Sequence, residues 1–272
     1  MPPPIGDNAQ PRGDRVLSIC GQTFDPRLII LDKDGTLIAF DSLWQAWFRL
    51  FLKELEASVE FGPGLSASLP ALLGYDADTG RWDPEGPLTL ASTGELVLLL
   101  AGLLYAHANL GWNEAIERVR QAERRARAAL PVEELVRPIG DVAGTLARWH
   151  DAGIRLAVAT TDERKLTQKT LAILGIEHLF EAVLCGDDGV PLKPAPDMAL
   201  WLCERLGVPA KETLVIGDTT GDLAMAQAAG AMAAVAVLSG ASTAEDLARY
   251  TDLIIPDIHH VQLVAQKGDT HP

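Results

Sequence analysis

Asp32 and Asp34 stand two residues apart where an apolar run stops, in the stretch LIILDKDGTLIAF at residues 28–40. Carboxylates held that close repel and raise each other's pKa, so such a pair persists where a cation offsets it or where chemistry uses both acids. Other strand-like runs end on polar groups in the same way. IRLAVAT ends on Thr160, followed by Thr161, and EAVLC is followed by Gly186, Asp187 and Asp188. TLVIG is followed by Asp218, with Asp222 four residues further on, and PLKPAPD, before it, carries Lys193.

Four aspartates (Asp32, Asp34, Asp218, Asp222), one or two threonines and a lysine read together as a site for Mg²⁺ and phosphate. Hard carboxylate oxygens suit Mg²⁺, which keeps water and phosphate oxygens beside one or two carboxylates. A carboxylate also attacks phosphorus where a metal offsets the repulsion between two anions. Each group has a plainer reading taken alone. A single DxD makes a turn, Thr160 caps a helix, Lys193 sits on a surface loop, and Asp222 is either a metal ligand or an orienter of ligands.

The elements that must position these groups follow from periodicity. LIIL (28–31), 154–160, 181–185, 213–217, 233–238 and 252–256 are expected strands, rich in β-branched and apolar residues. Between them DERKLTQKTLAILG, APDMALWLCERLG and GDLAMAQAAG have helical spacing, and each closes on a glycine. Strands alternating with helices predict an α/β fold, a Rossmann-like parallel sheet with helices on both faces. Ligands in such sheets bind beyond the carboxyl ends of the strands, where the polar groups above are found.

About a hundred residues separate the first of these strands from the second, too many for a crossover connection. Helical patterns fill the gap at 42–59, 93–111 and 113–130, with a Gly-, Pro- and Asp-rich stretch from 61 to 87 that reads mostly as loop. The expected organisation is a loosely ordered N-terminal tail over 1–27, a catalytic core of 28–38 and 138–272, and an inserted helical cap of 39–137.

DKDGT, the strand-terminal Thr160, the lysine of LKPAPD and GDTTGD resemble, in order, the four motifs of the haloacid dehalogenase-like (HAD) superfamily, in its phosphatase branch with a helical cap, similar to the phosphoglycolate phosphatase group. The resemblance covers residues 28 to about 256, and the cap matches only in position and helical character. It implies that Asp32 is a nucleophile that becomes an aspartyl phosphate, and that Asp34 is acid for the leaving oxygen and base for water. Thr160 and Lys193 would hold the transferring phosphoryl group, with Gly35 and Thr36 shaping the turn and, with Thr161, lying at the substrate. Mg²⁺ would be held by Asp32, Asp218 and the main-chain carbonyl of Asp34, with Asp222 in or just outside that shell.

The implied activity is Mg²⁺-dependent hydrolysis of a small phosphomonoester. A phosphomutase of the same family and a non-catalytic phospho-dependent regulatory module are the alternatives, separable from it by cap residues that retain a bisphosphate and by turnover. A dehalogenase leaves Asp34 and the second acid cluster without a role. A phosphonatase calls for a Schiff-base lysine in the cap, where the chain has only Lys53.

Composition bounds the partners. The chain has 272 residues, 48% of them hydrophobic and 22% charged, enough to bury a sizeable core. Its net charge of −14 repels polyanions, which disfavours nucleic acid and anionic membrane while leaving room for a small phosphorylated metabolite at a local cationic site. Cys20, Cys185 and Cys203 show no CxxC spacing and fit a reducing cytoplasm. The stretch LVLLLAGLLYAHANL is too short to span a bilayer and reads as a buried helix. MPPPIGDNAQPRGDR has no apolar run of the secretory kind. In the cap, Arg118, Arg120, Arg124, Arg125 and Arg127 alternate with Glu117 and Glu123 as a solvated helix face does, and Trp44 and Trp47 are expected in packing.

Overall fold

In the computed structural model, residues 15–60 and 69–265 are described. The chain divides into two compact units, one of the residues up to Ala39 with those from Pro138 onward, the other Phe40–Arg137.

The first unit is built on a six-stranded sheet. Its strands, numbered in chain order, are β3 (Leu28–Leu31), β6 (Arg155–Ala159), β7 (Ala182–Leu184), β8 (Thr213–Gly217), β9 (Ala233–Val237) and β10 (Ile254–Ile255), in spatial order β10-β9-β8-β3-β6-β7. Every pairing in it is parallel. Alternate residues of each strand feed two cores. Ile29, Leu31, Leu156, Val158, Leu214 and Ile216 enter one, with Val142, Leu146 and Trp149 of the helix Val142–Asp151. Leu28, Ile30, Ala157, Ala159 and Val215 enter the other, with apolar residues of the helices Asp197–Leu206 and Thr220–Ala229. A sheet covered on both faces needs continuous apolar strands, which is why LIIL does not alternate.

The expectation of a loose tail through residue 27 does not hold for its second half. β1 (Arg15–Ile19) and β2 (Gln22–Phe24) form an antiparallel hairpin, and β1 also pairs with β11 (Gln262–Ala265) near the other end of the chain. Leu17 and Ile19 are fully buried in the first core. Cys20 and Gly21 both have positive φ, 49° and 79°, as a two-residue hairpin turn demands. Residues 1–14 of that expected tail lie outside the described residues.

The second unit is helical. The long helices are Phe40–Ser58, Thr93–His107 and Trp112–Ala129, and the third packs against both others. A capping box between Ser92 and Glu95 starts the second. The stretch expected as loop holds a short antiparallel pair, β4 (Tyr75–Asp76) with β5 (Arg81–Trp82). Trp47 is buried and stacks on Phe51, with Trp44 edge-on to Trp47, so these indoles pack as expected. Arg124 and Arg125 are exposed and Arg118 is half-buried; Arg118, Arg124 and Arg125 are ion-paired with Glu114, Glu117 and Glu54 respectively. None of the described helices is long and apolar enough to cross a membrane.

Candidate active site

Register sets the site. Leu31 of β3 is level with Ile216 of β8 on one side and Val158 of β6 on the other. The next residues of the three strands therefore emerge at one edge: Asp32 from β3, Asp218 just past β8, and Thr160 just past β6.

Asp32, Asp218 and Asp222 are buried, and one carboxylate oxygen from each lies within 4.8 Å of the others. Lys193 reaches them from the loop after β7, its Nζ 2.7 Å from Asp32 Oδ1 and 2.5 Å from Asp222 Oδ1. Asp222 opens the helix Thr220–Ala229 as the third residue of a capping box. Its Oδ2 accepts from the Thr219 hydroxyl at 2.6 Å and the Thr219 amide at 3.1 Å. One of its oxygens thus faces Lys193 while the other is held by the helix start.

Burial and like charge dominate the electrostatics. Burial raises the Asp32 pKa to about 7; Lys193 pulls it down, and Asp222 and Asp34 push it up. Burial, then Asp32 and Asp222, lift Asp218 well above the carboxylate range. Burial would lower Lys193, but Asp222 and Asp32 outweigh it and keep it firmly protonated. One lysine does not neutralise three buried acids, and hard oxygens converging this closely suit a divalent cation such as Mg²⁺.

The loops around the cluster are tight. Gly35 has φ +84°, and a Cβ on it would meet the Asp218 carboxylate and come within 2.8 Å of Gly240 Cα. The Ala241 amide donates to Asp218 Oδ2 at 3.0 Å, and the Ser239 hydroxyl donates to the Gly35 carbonyl at 2.6 Å. Thr36 is fully buried with its hydroxyl 3.5 Å from Asp218 Oδ1, so it faces a carboxylate of the cluster. The Thr160 hydroxyl accepts from the Asp162 amide at 3.2 Å in a turn ahead of the helix Arg164–Ile173, whose cap residue is Glu163. Thr161 lies on the same loop with its carbonyl against Gly186, and among the described residues no hydrogen bond ties its side chain to the acids.

Asp34, two residues beyond Asp32, is paired elsewhere than with Lys193. Lys33, with no exposed surface, places its Nζ 2.6 Å from Asp34 Oδ2 and 3.0 Å from Asp162 Oδ2. Burial would lower Lys33, but Asp34 and Asp162 override it and hold it above the ordinary lysine range. Lys33, Asp162 and the Ser239–Ala241 turn escape a reading of the sequence by motif. The turn had a signal: it too follows an apolar strand. Lys33 had a weaker one, a charge at the end of a strand buried on both faces.

Comparison with known proteins gives consistent matches. The family model of the haloacid dehalogenase-like hydrolases matches residues 26–230. A phosphoglycolate phosphatase from Pasteurella multocida is 31% identical over 173 residues, which are 60% of this chain and 76% of that protein. The pyrophosphatase PpaX of Halalkalibacterium halodurans is 31% identical over 120 residues, 44% of this chain and 55% of that one, so the match spans about half of that relative. Among solved structures, a predicted phosphoglycolate phosphatase from Haemophilus somnus superposes with a TM-score of 0.64 at 22% identity, covering 86% of this chain and 95% of that one, a likeness of fold.

Proposed function

Since this chain belongs to the haloacid dehalogenase-like hydrolases, we propose that it is a Mg²⁺-dependent phosphatase of a small phosphomonoester, acting through an aspartyl phosphate on Asp32. The observation that carries the reading is the buried cluster in which Asp32, at a strand's carboxyl end, meets Lys193 at 2.7 Å beside Asp218 and Asp222. The names of the relatives, phosphatases and a pyrophosphatase, support phosphorylated small molecules as the substrate class, with phosphoglycolate the first to test.

Asp32 supplies the nucleophile. One of its oxygens attacks phosphorus, the bond from phosphorus to the ester oxygen breaks, and Asp34 gives that oxygen its proton. Asp34 then takes a proton from water as the water attacks phosphorus. The bond from phosphorus to Asp32 breaks, releasing phosphate and restoring the carboxylate. Lys193 and Thr160 stabilise the equatorial oxygens while charge spreads over them. Asp222 aims Lys193, and the turns at Gly35 and Gly240 hold Asp218 in place. Asp32, Asp218 and the Asp34 carbonyl are the groups that would hold Mg²⁺, with Asp222 beside them; bound there, the ion offsets the repulsion between the acids and the phosphoryl group.

Residues 39–137 are read as the inserted cap that chooses the substrate, because every proposed site residue lies in the other unit. The three free cysteines fit the reducing cytoplasm. The test is p-nitrophenyl phosphate hydrolysis, which is expected to require Mg²⁺ and to fall to background in Asp32→Ala. Undiminished activity in excess chelator, or in the alanine variant, would overturn the mechanism.

A further inference from the structure

The reading of Asp34 as acid and base leaves open what aims its carboxylate. An aspartate side chain has three staggered χ1 wells, and proton transfer to one particular oxygen needs it held in one of them. Lys193 is engaged with Asp32 and Asp222, while Asp34 pairs with Lys33.

We propose that Lys33, anchored by Asp162, is a positioning residue that holds the Asp34 carboxylate for proton transfer at the phosphoryl group. This rests on the role given to Asp34 above. The Lys33 ammonium lies between the two carboxylates, 2.6 Å from Asp34 Oδ2 and 3.0 Å from Asp162 Oδ2. Its anchor is itself fixed from several sides. The Asp162 amide donates to the Thr160 hydroxyl, Asp162 Oδ1 accepts from the Glu163 amide at 2.7 Å, and the Asp162 carbonyl accepts from the Gly186 amide at 2.8 Å. The loops after β3 and β6 are thereby joined through one buried cation, and the loop after β7 is tied to them at the Asp162 carbonyl. Asp34 is held relative to the loop that carries Thr160, so the proton donor and the phosphoryl-binding hydroxyl keep a fixed spacing.

A purely structural role explains Lys33 poorly. A fully buried ammonium loses its hydration, and for folding alone an apolar set in place of the whole Lys33–Asp34–Asp162 group would fill the space at least as favourably. What an apolar residue cannot do is fix the direction of a neighbouring carboxylate.

The experiment compares phenyl phosphate with p-nitrophenyl phosphate. The two differ only by a nitro group on the ring, but phenol holds its proton up to about pH 10, as tyrosine does, so its oxygen needs an acid as it departs. The reading is kcat/KM, which reports the phosphorylation half-reaction alone. Asp34→Asn is expected to depress phenyl phosphate relative to p-nitrophenyl phosphate by about 100-fold or more. Lys33→Met is expected to depress the same ratio by about 10-fold, less than the roughly 100-fold that a full ångström of misplacement can cost. Asp162→Asn keeps the bond from the Glu163 amide and shifts the ratio in the same direction, so it carries the test if Lys33→Met does not fold. In the Asp34→Asn background, Lys33→Met should change the ratio no further, a non-additivity that a general loss of structure does not produce.

If Asp34→Asn alters the ratio while Asp162→Asn and a folded Lys33→Met leave it at the wild-type value, the positioning role is wrong and the Asp34 assignment stands. A further shift when Lys33→Met is added to Asp34→Asn also overturns the positioning role. If Asp34→Asn itself leaves the ratio unchanged, the acid assignment falls and the Lys33 proposal falls with it.

Discussion

Gly240 has no room for a side chain, because a Cβ there would lie on the Asp218 carboxylate. Gly35 closes on the same carboxylate from the loop after β3, with φ +84°. The two glycines form the walls that leave Asp218 one orientation. Gly240→Ala should therefore push Asp218 aside and raise the Mg²⁺ concentration for half-maximal p-nitrophenyl phosphate hydrolysis by about 10-fold or more, as loss of a ligand's support does at metal sites. An unchanged Mg²⁺ midpoint in a folded variant would contradict that role for Asp218. At this scale the legible signal is a polar residue at the end of an apolar strand, which marks Asp32, Asp34, Thr160 and Asp218 as candidates; Asp32 and Asp218 lie in one buried acidic cluster. Lys33 was not readable because its meaning depends on Asp162, a residue far along the chain that only the pairing of β3 with β6 brings near. Asp222 was readable as either of two things. Its two oxygens, one on Lys193 and one on the Thr219 cap, favour the orienting role.

At the scale of elements, β1 behaves as part of the core. Leu17 is fully buried among residues of β3, β6 and the helix Val142–Asp151, so Leu17→Ala should destabilise the protein by about 2–5 kcal/mol. Thermal unfolding should then shift down by roughly 5–15 °C. A shift of about a degree or less would mean that the N-terminal hairpin is peripheral. This strand was invisible in the sequence for two physical reasons. Its turn is Cys20–Gly21, and cysteine at a positive φ carries none of the Asn-Gly or Asp-Gly signal that marks such turns. Its second partner, β11, lies at the far end of the chain, where no local pattern points to it. The parallel strands and the long helices were legible because each carries its own signal, a continuous apolar run or a 3.6-residue period, and several helices end at glycines in the left-handed region, Gly207 and Gly230 among them.

Taken whole, the chain divides into a sheet-bearing unit and a helical unit. Both sheet cores draw their buried residues from the first unit alone, so that unit holds the apolar contacts its sheet needs. Replacing residues 40–137 by a short linker is therefore expected to leave weak p-nitrophenyl phosphate hydrolysis, while preference among phosphorylated metabolites is lost. A folded core that ranks a panel of metabolites as the intact chain does would mean that the helical unit is not the selector. The sequence of the helical unit carries no readable substrate code: Trp44 and Trp47 pack against each other and Phe51, and Arg118 and Arg124 pair with Glu114 and Glu117. The net charge of −14 belongs to this scale as well. It sets a repulsive far field for anions, against which Lys193 and a bound cation act only at short range, within about a Debye length of 8–10 Å.

The central claim is that Asp32 carries the phosphoryl group between the two halves of the reaction. It is tested most directly by mixing Asp34→Asn with p-nitrophenyl phosphate and Mg²⁺, quenching in acid, and weighing the intact chain. Without its base the second half-reaction stalls, so a burst of p-nitrophenol should accompany one phosphoryl group per chain, mapped by peptide mass to Asp32. A chain that stays unmodified while p-nitrophenol is released, or a phosphoryl group on any other residue, would contradict it.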